Sequence, residues 1–237
     1  MIKDFYDKFM IKIDTSDCKS LIAGYDIKLN DTWYYSDQIF ESGKIYGLVS
    51  EYGQGCAYLS YLLGGRIEFG DVRIYCNDNL TFQDELREVS WNLEPLYEPY
   101  GKKKVRKSIE KVLLKSSKED FQTIAYKFLL TERRYEMKYK NLSGERWRAA
   151  SALGYVQNKK IYFAPYMPSK FYYNMCQSGL LKALRELAKS GALVILPVGS
   201  DEFIKYIADK VIYLNRSYDI DSVRSYYDKH FGGEWIH

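Results

Sequence analysis

The chain has 237 residues, 46% of them hydrophobic, and a formal net charge of +4, which suits one sizeable core and a mildly basic surface. Five prolines and no Pro- or Ser-rich tract exclude a long linker, and no apolar run nears the roughly 20 residues that span a bilayer. Four cysteines without metal-ligand spacing, and histidines only at His230 and His237, argue against a zinc site or a mid-chain histidine base.

The start, Met1-Ile2-Lys3-Asp4-Phe5, lacks the pattern of a signal peptide, and unpaired cysteines fit a reducing compartment. Strand-like residues occupy 28–35 and 42–50, with Lys44 to Val49 compact and apolar as in a buried strand. A glycine-bearing turn, Ser50-Glu51-Tyr52-Gly53-Gln54-Gly55, leads into a helix over Cys56 to Leu63 that Gly64-Gly65 ends. From about Lys104 to Tyr139 the pattern is helical and charged, with Ile109, Val112 and Leu113 forming one apolar stripe. A further helix is predicted from Ser143 through Ala152, followed by a buried strand at Ile161 to Ala164. An amphipathic helix over about Gly179 to Ser190 precedes a strand at Ala192 to Leu196, a helix at Asp201 to Ala208 and a strand at Lys210 to Leu214. Strands alternating with helices imply an α/β fold, with a mostly parallel sheet covered on both faces.

The dense basic run Lys102-Lys103-Lys104-Val105-Arg106-Lys107 could face phospholipid head groups or nucleic acid. No nucleic-acid-binding pattern accompanies it, so it reads as a solvated helix start and nucleic acid is not an expected partner.

Strand, glycine turn and helix start are the parts of a P-loop, in which backbone N–H groups wrap phosphates, a lysine reaches their oxygens and a hydroxyl holds magnesium. Gly53 and Gly55 stand where backbone must approach closely, whereas Ser50, Cys56 and Ala57 replace the first glycine, the lysine and the hydroxyl. A thiol at a helix N-terminus can be acidified. With no base nearby in sequence, however, Cys56 is expected to be a small buried filler. Trp33 or Tyr34 could stack on adenine or pack on the sheet.

A second segment gives the first its meaning. Asn141-Leu142-Ser143-Gly144-Glu145-Arg146-Trp147-Arg148-Ala149-Ala150 resembles the signature segment of ABC transporter nucleotide-binding subunits, with one glycine of its pair missing and Ser143 expected at a helix N-cap. In the same register Trp91 to Tyr97 resembles the Q-loop region, with Glu94 near the glutamine's place. Pro165-Tyr166-Met167 occupies the position of Asp-Glu-Pro, Tyr172 that of the D-loop aspartate, and Ser200-Asp201 that of the switch histidine and its acidic neighbour. The resemblance covers about 27–214 in the family's order.

This resemblance implies one ABC-type nucleotide-binding domain over 1–237, with an antiparallel β part at the N-terminus and a helical subdomain over about 95–155. It implies cofactor-binding positions at Gly53, Gly55, Cys56, Ala57, Ser143 and Gly144, ATP weakly held or absent at the chain's own site, magnesium not expected there, and no catalytic residue or metal ligand. Expected partners are a transmembrane transporter subunit and a second, ATPase-competent nucleotide-binding subunit. The chain would then lie in the cytoplasm, peripheral on the inner face of the membrane.

Overall fold

The computed structural model describes residues 5, 8–16, 21–22, 32–33, 38–50, 55–68, 70–116, 119–214 and 220–232. In chain order the first elements are β1 (Met10–Asp14), β2 (Leu21–Ile22), β3 (Thr32–Trp33), β4 (Gln38–Glu41), β5 (Ile45–Val49) and α1 (Cys56–Leu63). Next come β6 (Arg73–Cys76), β7 (Asn79–Leu80), α2 (Gln83–Val89) and β8 (Ser90–Asn92). The helical region holds α3 (Val105–Ser116), α4 (Phe121–Lys127), α5 (Glu132–Tyr135) and α6 (Arg146–Val156). The chain continues through β9 (Ile161–Phe163), α7 (Ser169–Gln177), α8 (Leu180–Lys189), β10 (Leu193–Val198), α9 (Asp201–Ile204), β11 (Lys210–Tyr213) and α10 (Ile220–Phe231).

Two main sheets organise these elements. The first is antiparallel, in the order β4-β1-β6-β7, and comes from the N-terminal part. The second, in the order β11-β5-β10-β9-β8, is parallel at every pairing.

Alternation along the parallel strands explains why both faces of that sheet are buried. Successive side chains of a strand point to opposite faces. Ile45 and Val49 of β5, with Val194 and Leu196 of β10, enter one core shared with α3, α6 and α8. Tyr46 and Leu48, with Leu193 and Ile195, enter a second core shared with α1 and the antiparallel sheet. A strand buried on both faces must be apolar at almost every position, and β5 and β10 are buried throughout.

Several boundaries differ from the sequence reading. The helix expected from Ser143 begins at Arg146, and that expected over 201–208 closes as an α-helix at Ile204. The charged stretch 104–139 holds three α-helices: Asp120 caps the second, and the gap before the third contains Leu129, at a positive φ of 53°, and Thr131, which opens α5. Most of the strand expected at 28–35 lies outside the described residues.

Candidate functional site

The end of β5 and the start of α1 make the loop that the sequence singled out. Gly55 caps α1 with φ 99°, a left-handed conformation that glycine adopts without a side-chain clash. Gly53 lies outside the described residues, as do Tyr34 and the side chain of Trp33. Ser50 is buried; its N–H donates to the Val198 carbonyl at 3.1 Å, and its hydroxyl accepts the Cys56 N–H at 3.1 Å. That amide opens α1 and is therefore already satisfied within the chain.

Cys56 is 1% exposed, and its thiol lies 3.9 Å from the Val198 carbonyl. Burial pushes the thiol pKa up, against the acidification expected at a helix N-terminus, because desolvation outweighs the hydrogen bonds from Ser50 and neighbouring backbone. Ala57 is half-buried and brings no polar group. The first hydroxyl along α1 is Ser60, whose Oγ donates to the Ala164 carbonyl at 2.8 Å and accepts the Ala164 N–H at 3.3 Å. It fastens α1 to the end of β9.

The ends of β9 and β10 complete this side. Tyr166 lies over Gly199, where an added Cβ would come within 2.2 Å of the phenol oxygen. Tyr172 is fully buried, and its hydroxyl donates to the Pro197 carbonyl at 3.1 Å. Ser169 and Ser200 share a 2.7 Å hydrogen bond between hydroxyls. Asp201 accepts the Tyr213 hydroxyl at 2.7 Å, which raises that phenol's pKa.

The second constellation sits at the start of α6, in the other core. Ser143 is exposed and is not the N-cap; Glu145 holds that position without a side-chain cap bond, and the Ser143 carbonyl accepts the Arg146 N–H at 3.1 Å. The Ser143 hydroxyl instead accepts from Arg134 Nη1 at 3.1 Å. Gly144 is half-buried, and its carbonyl accepts from the Ser178 hydroxyl at 3.2 Å. An added Cβ there would meet Ser178 Oγ at 3.5 Å, an ordinary contact, so packing within the chain does not demand glycine.

Glu145, which by sequence stands as an anion beside the signature, is turned inward and 5% exposed. Its carboxylate accepts the Thr131 hydroxyl at 2.7 Å and the Thr131 N–H at 3.2 Å, with Arg148 at 3.4 Å and Arg134 at 3.7 Å. Glu94 is likewise internal, 1% exposed, and accepts from Arg146 Nη2 at 2.7 Å, Trp147 Nε1 at 3.1 Å and the Leu96 N–H at 3.0 Å. The segment after β8 and the start of α6 are thereby tied together.

Sequence reasoning singled out Cys56, Gly55, Ser143 and Gly144 but missed Arg134, Ser50's hydroxyl and the Glu94–Arg146 pair. The pair is separated by 52 positions, and no local pattern announces it.

Taken together, the architecture is that of an ABC-type nucleotide-binding domain: a parallel α/β core, an N-terminal antiparallel sheet and a helical region ahead of α6. Solved structures bear this out. A Clostridium perfringens protein described as part of an ABC transporter complex is similar, with TM-score 0.65, 14% identity, and 95% of this chain and 97% of that one covered. An ATP-binding cassette of an ABC transporter in its ADP conformation has TM-score 0.58 and 12% identity over 97% and 100%. A bacterial Atm1-family ABC exporter with ATP bound has TM-score 0.60 and 16% identity, covering 96% of this chain and 42% of that one. No family model matches the sequence, and no curated protein does. At these identities the likeness establishes the fold.

Proposed function

We propose that this chain is a catalytically degenerate nucleotide-binding subunit of an ABC-type membrane transporter, paired with an ATPase-competent subunit and coupled to transmembrane subunits. The observation that carries the reading is the contrast between its two constellations: Ser50 and Cys56 at the start of α1 are buried and bonded from within, while Ser143 ahead of α6 is open to solvent and Gly144 is half-buried.

Phosphoryl transfer requires cations on the phosphates, a held metal ion and an oriented water. The described residues around Cys56 do not fit a magnesium–nucleotide. A buried thiol stands in place of the cation, Ala57 lacks a hydroxyl, Pro165 and Tyr166 offer no carboxylate, and Asp201 is engaged by Tyr213. ATP is therefore weakly held or absent at this loop, and the chain alone does not hydrolyse it.

The signature segment has the opposite character. Its exposed serine, its glycine without an internal packing need, and Arg134 beside them suit the approach of a partner's bound nucleotide. The charge of Glu145 is withdrawn into the Thr131, Arg134 and Arg148 network. Since no described helix is long and apolar enough to cross a membrane, contact with transport subunits would run through the surface near Glu94 and the helical region.

The experiment is capture of the tagged chain from gently solubilised native membranes, with partners identified by mass spectrometry. A multi-span protein together with an intact P-loop ATPase is the expected result. In that complex Ser143→Arg should lower ATPase turnover. Recovery of neither partner would favour a regulatory protein that reuses the fold. EDTA-sensitive ATPase activity of the purified chain would refute the degenerate reading.

A further inference from the structure

The basic run that opens α3 does not project from a plain helix surface; it lines one side of a cleft of about 790 Å³. Lys103, Lys104, Lys107, Lys111 and Lys115 supply that side, while Trp91, Tyr100, Val112 and Leu153 give an apolar floor. Spacings of three and four place Lys104, Lys107, Lys111 and Lys115 along one face of α3, over about 16 Å at 1.5 Å per residue.

Nearby carboxylates do not neutralise these lysines. Glu110 and Glu136 are taken by Arg106, at 2.8 and 3.4 Å. Glu98, which also lines the cleft, accepts from Asn92 at 3.0 Å and faces Arg66 at 3.8 Å. Among the described residues, none of the five ammonium groups is paired with a carboxylate. Five like charges on one rim repel one another and raise the local concentration of anions.

The shape selects the kind of anion. Trp91 stacks on Tyr100 with centroids 4.5 Å apart, its indole N–H is used by the Ala150 carbonyl at 2.9 Å, and Gly154 presses on its pyrrole edge. The ring is a fixed wall rather than a platform for a base. A single phosphate would meet only one end of a row about 16 Å long. A ligand that uses the whole row carries several negative charges at helical intervals and an apolar side for the floor.

We propose that this cleft docks an acidic, amphipathic segment of a partner protein, lying along α3. Leu153 and Gln157 belong to the C-terminal half of α6, away from Ser143 and Gly144 at its start. The docking site is thus separate from the signature segment; it lies in the helical region through which the proposed function routes contact with transport subunits and deepens that reading by giving the chemistry of the segment it takes.

The test uses the purified chain and a fluorescein-labelled peptide of about 14 residues, four helical turns, with Glu at every third or fourth position and Leu on the opposite face. Fluorescence anisotropy should show saturable binding that weakens about tenfold or more as salt is raised beyond the screening range. A peptide with Gln in place of Glu should bind about tenfold more weakly or worse, and so should Lys107→Glu/Lys111→Glu with the acidic peptide, while the thermal midpoint of that variant stays unchanged. Equal affinity for the Glu and Gln peptides, or full binding by the double variant, would overturn the proposal. Binding to phosphatidylglycerol vesicles that the acidic peptide cannot displace, and that Lys107→Glu/Lys111→Glu abolishes, would assign the cleft to a membrane surface instead.

Discussion

Removal of the Glu94 carboxylate tests how the segment after β8 is fixed to the start of α6. In Glu94→Ala three donors lose their acceptor: Arg146 Nη2, Trp147 Nε1 and the Leu96 N–H. Breaking a fully buried ion pair costs about 3–5 kcal/mol. Here the Arg146 side chain is 20% exposed and can recover water, but Trp147 is fully buried and its indole N–H cannot. The lower end, about 3 kcal/mol, is therefore expected, most of it from the stranded indole and the lost charged bond. For a chain of this size that corresponds to a fall of about 6–12 °C in Tm. Glu94→Gln keeps the shape and one acceptor and should cost about half as much. Thermal and urea unfolding of Glu94→Ala, Arg146→Ala and the double variant should give a coupling energy of about 1–3 kcal/mol. If Glu94→Ala melts within about 2 °C of the parent, or if the two single effects simply add, the carboxylate does not hold these elements together.

Three further outcomes are expected. Ser60→Ala should destabilise by about 1–3 kcal/mol in urea unfolding, because the N–H and carbonyl of Ala164 both lose a buried partner; a loss below about 0.5 kcal/mol would mean that the end of β9 finds other partners. Gly199→Ala should cost about 1–3 kcal/mol by driving a methyl into the Tyr166 hydroxyl, and Tyr166→Phe in the same chain should restore part of it, the ring carbon lying at 3.2 Å rather than 2.2 Å; an unaltered midpoint in the single variant would refute the contact. Glu41 is held down to about 2 by Lys210 and Lys44, so its folded-state contribution is complete above the ordinary carboxylate pKa and is lost as pH falls towards 2. The stability advantage over Glu41→Gln should accordingly be present at neutral pH and vanish in strong acid, and a pH-independent difference between the two would contradict the ion pairs.

Much of the fold was legible because its signals are local. Strands buried on both faces need continuous apolar runs, and β5 and β10 are such runs; α1 was bounded correctly by Gly55 before it and Gly64 after it. Short strands on the antiparallel sheet carry weaker signals: β1 alternates over only five residues, and β6 and β7 turn through Asn77 and Asp78, both at positive φ without a glycine between them. Of α7, the Tyr172 position was considered only for what it lacks, and its burial became visible only with the Pro197 carbonyl in place. At the candidate site the sequence identified substitutions but not their accommodation. That Cys56 turns inward, that Glu145 is bonded by Thr131 and faces Arg134, and that Glu94 reaches α6 are all results of chain segments apart in sequence meeting in space.

The start of α1 and the start of α6 differ in how their polar groups are used. Around Cys56 three described side chains are turned to internal packing: a thiol against Val198, a phenol over Gly199, another phenol on Pro197. A lysine placed at Cys56 would bring a charged side chain into a space that its neighbours already fill. Around Ser143 the reverse holds. Buried ion pairs contribute little net stability compared with apolar packing of the same volume, yet the chain places members of two of them, Glu94–Arg146 and Glu145–Arg148, directly after the exposed Ser143 and half-buried Gly144. Their effect is geometric: they fix the path of residues 142–146 while leaving Ser143 accessible. A chain retaining the fold for stability alone would be served as well by leucines at those positions, whereas one that presents this segment to a partner needs it held in one place.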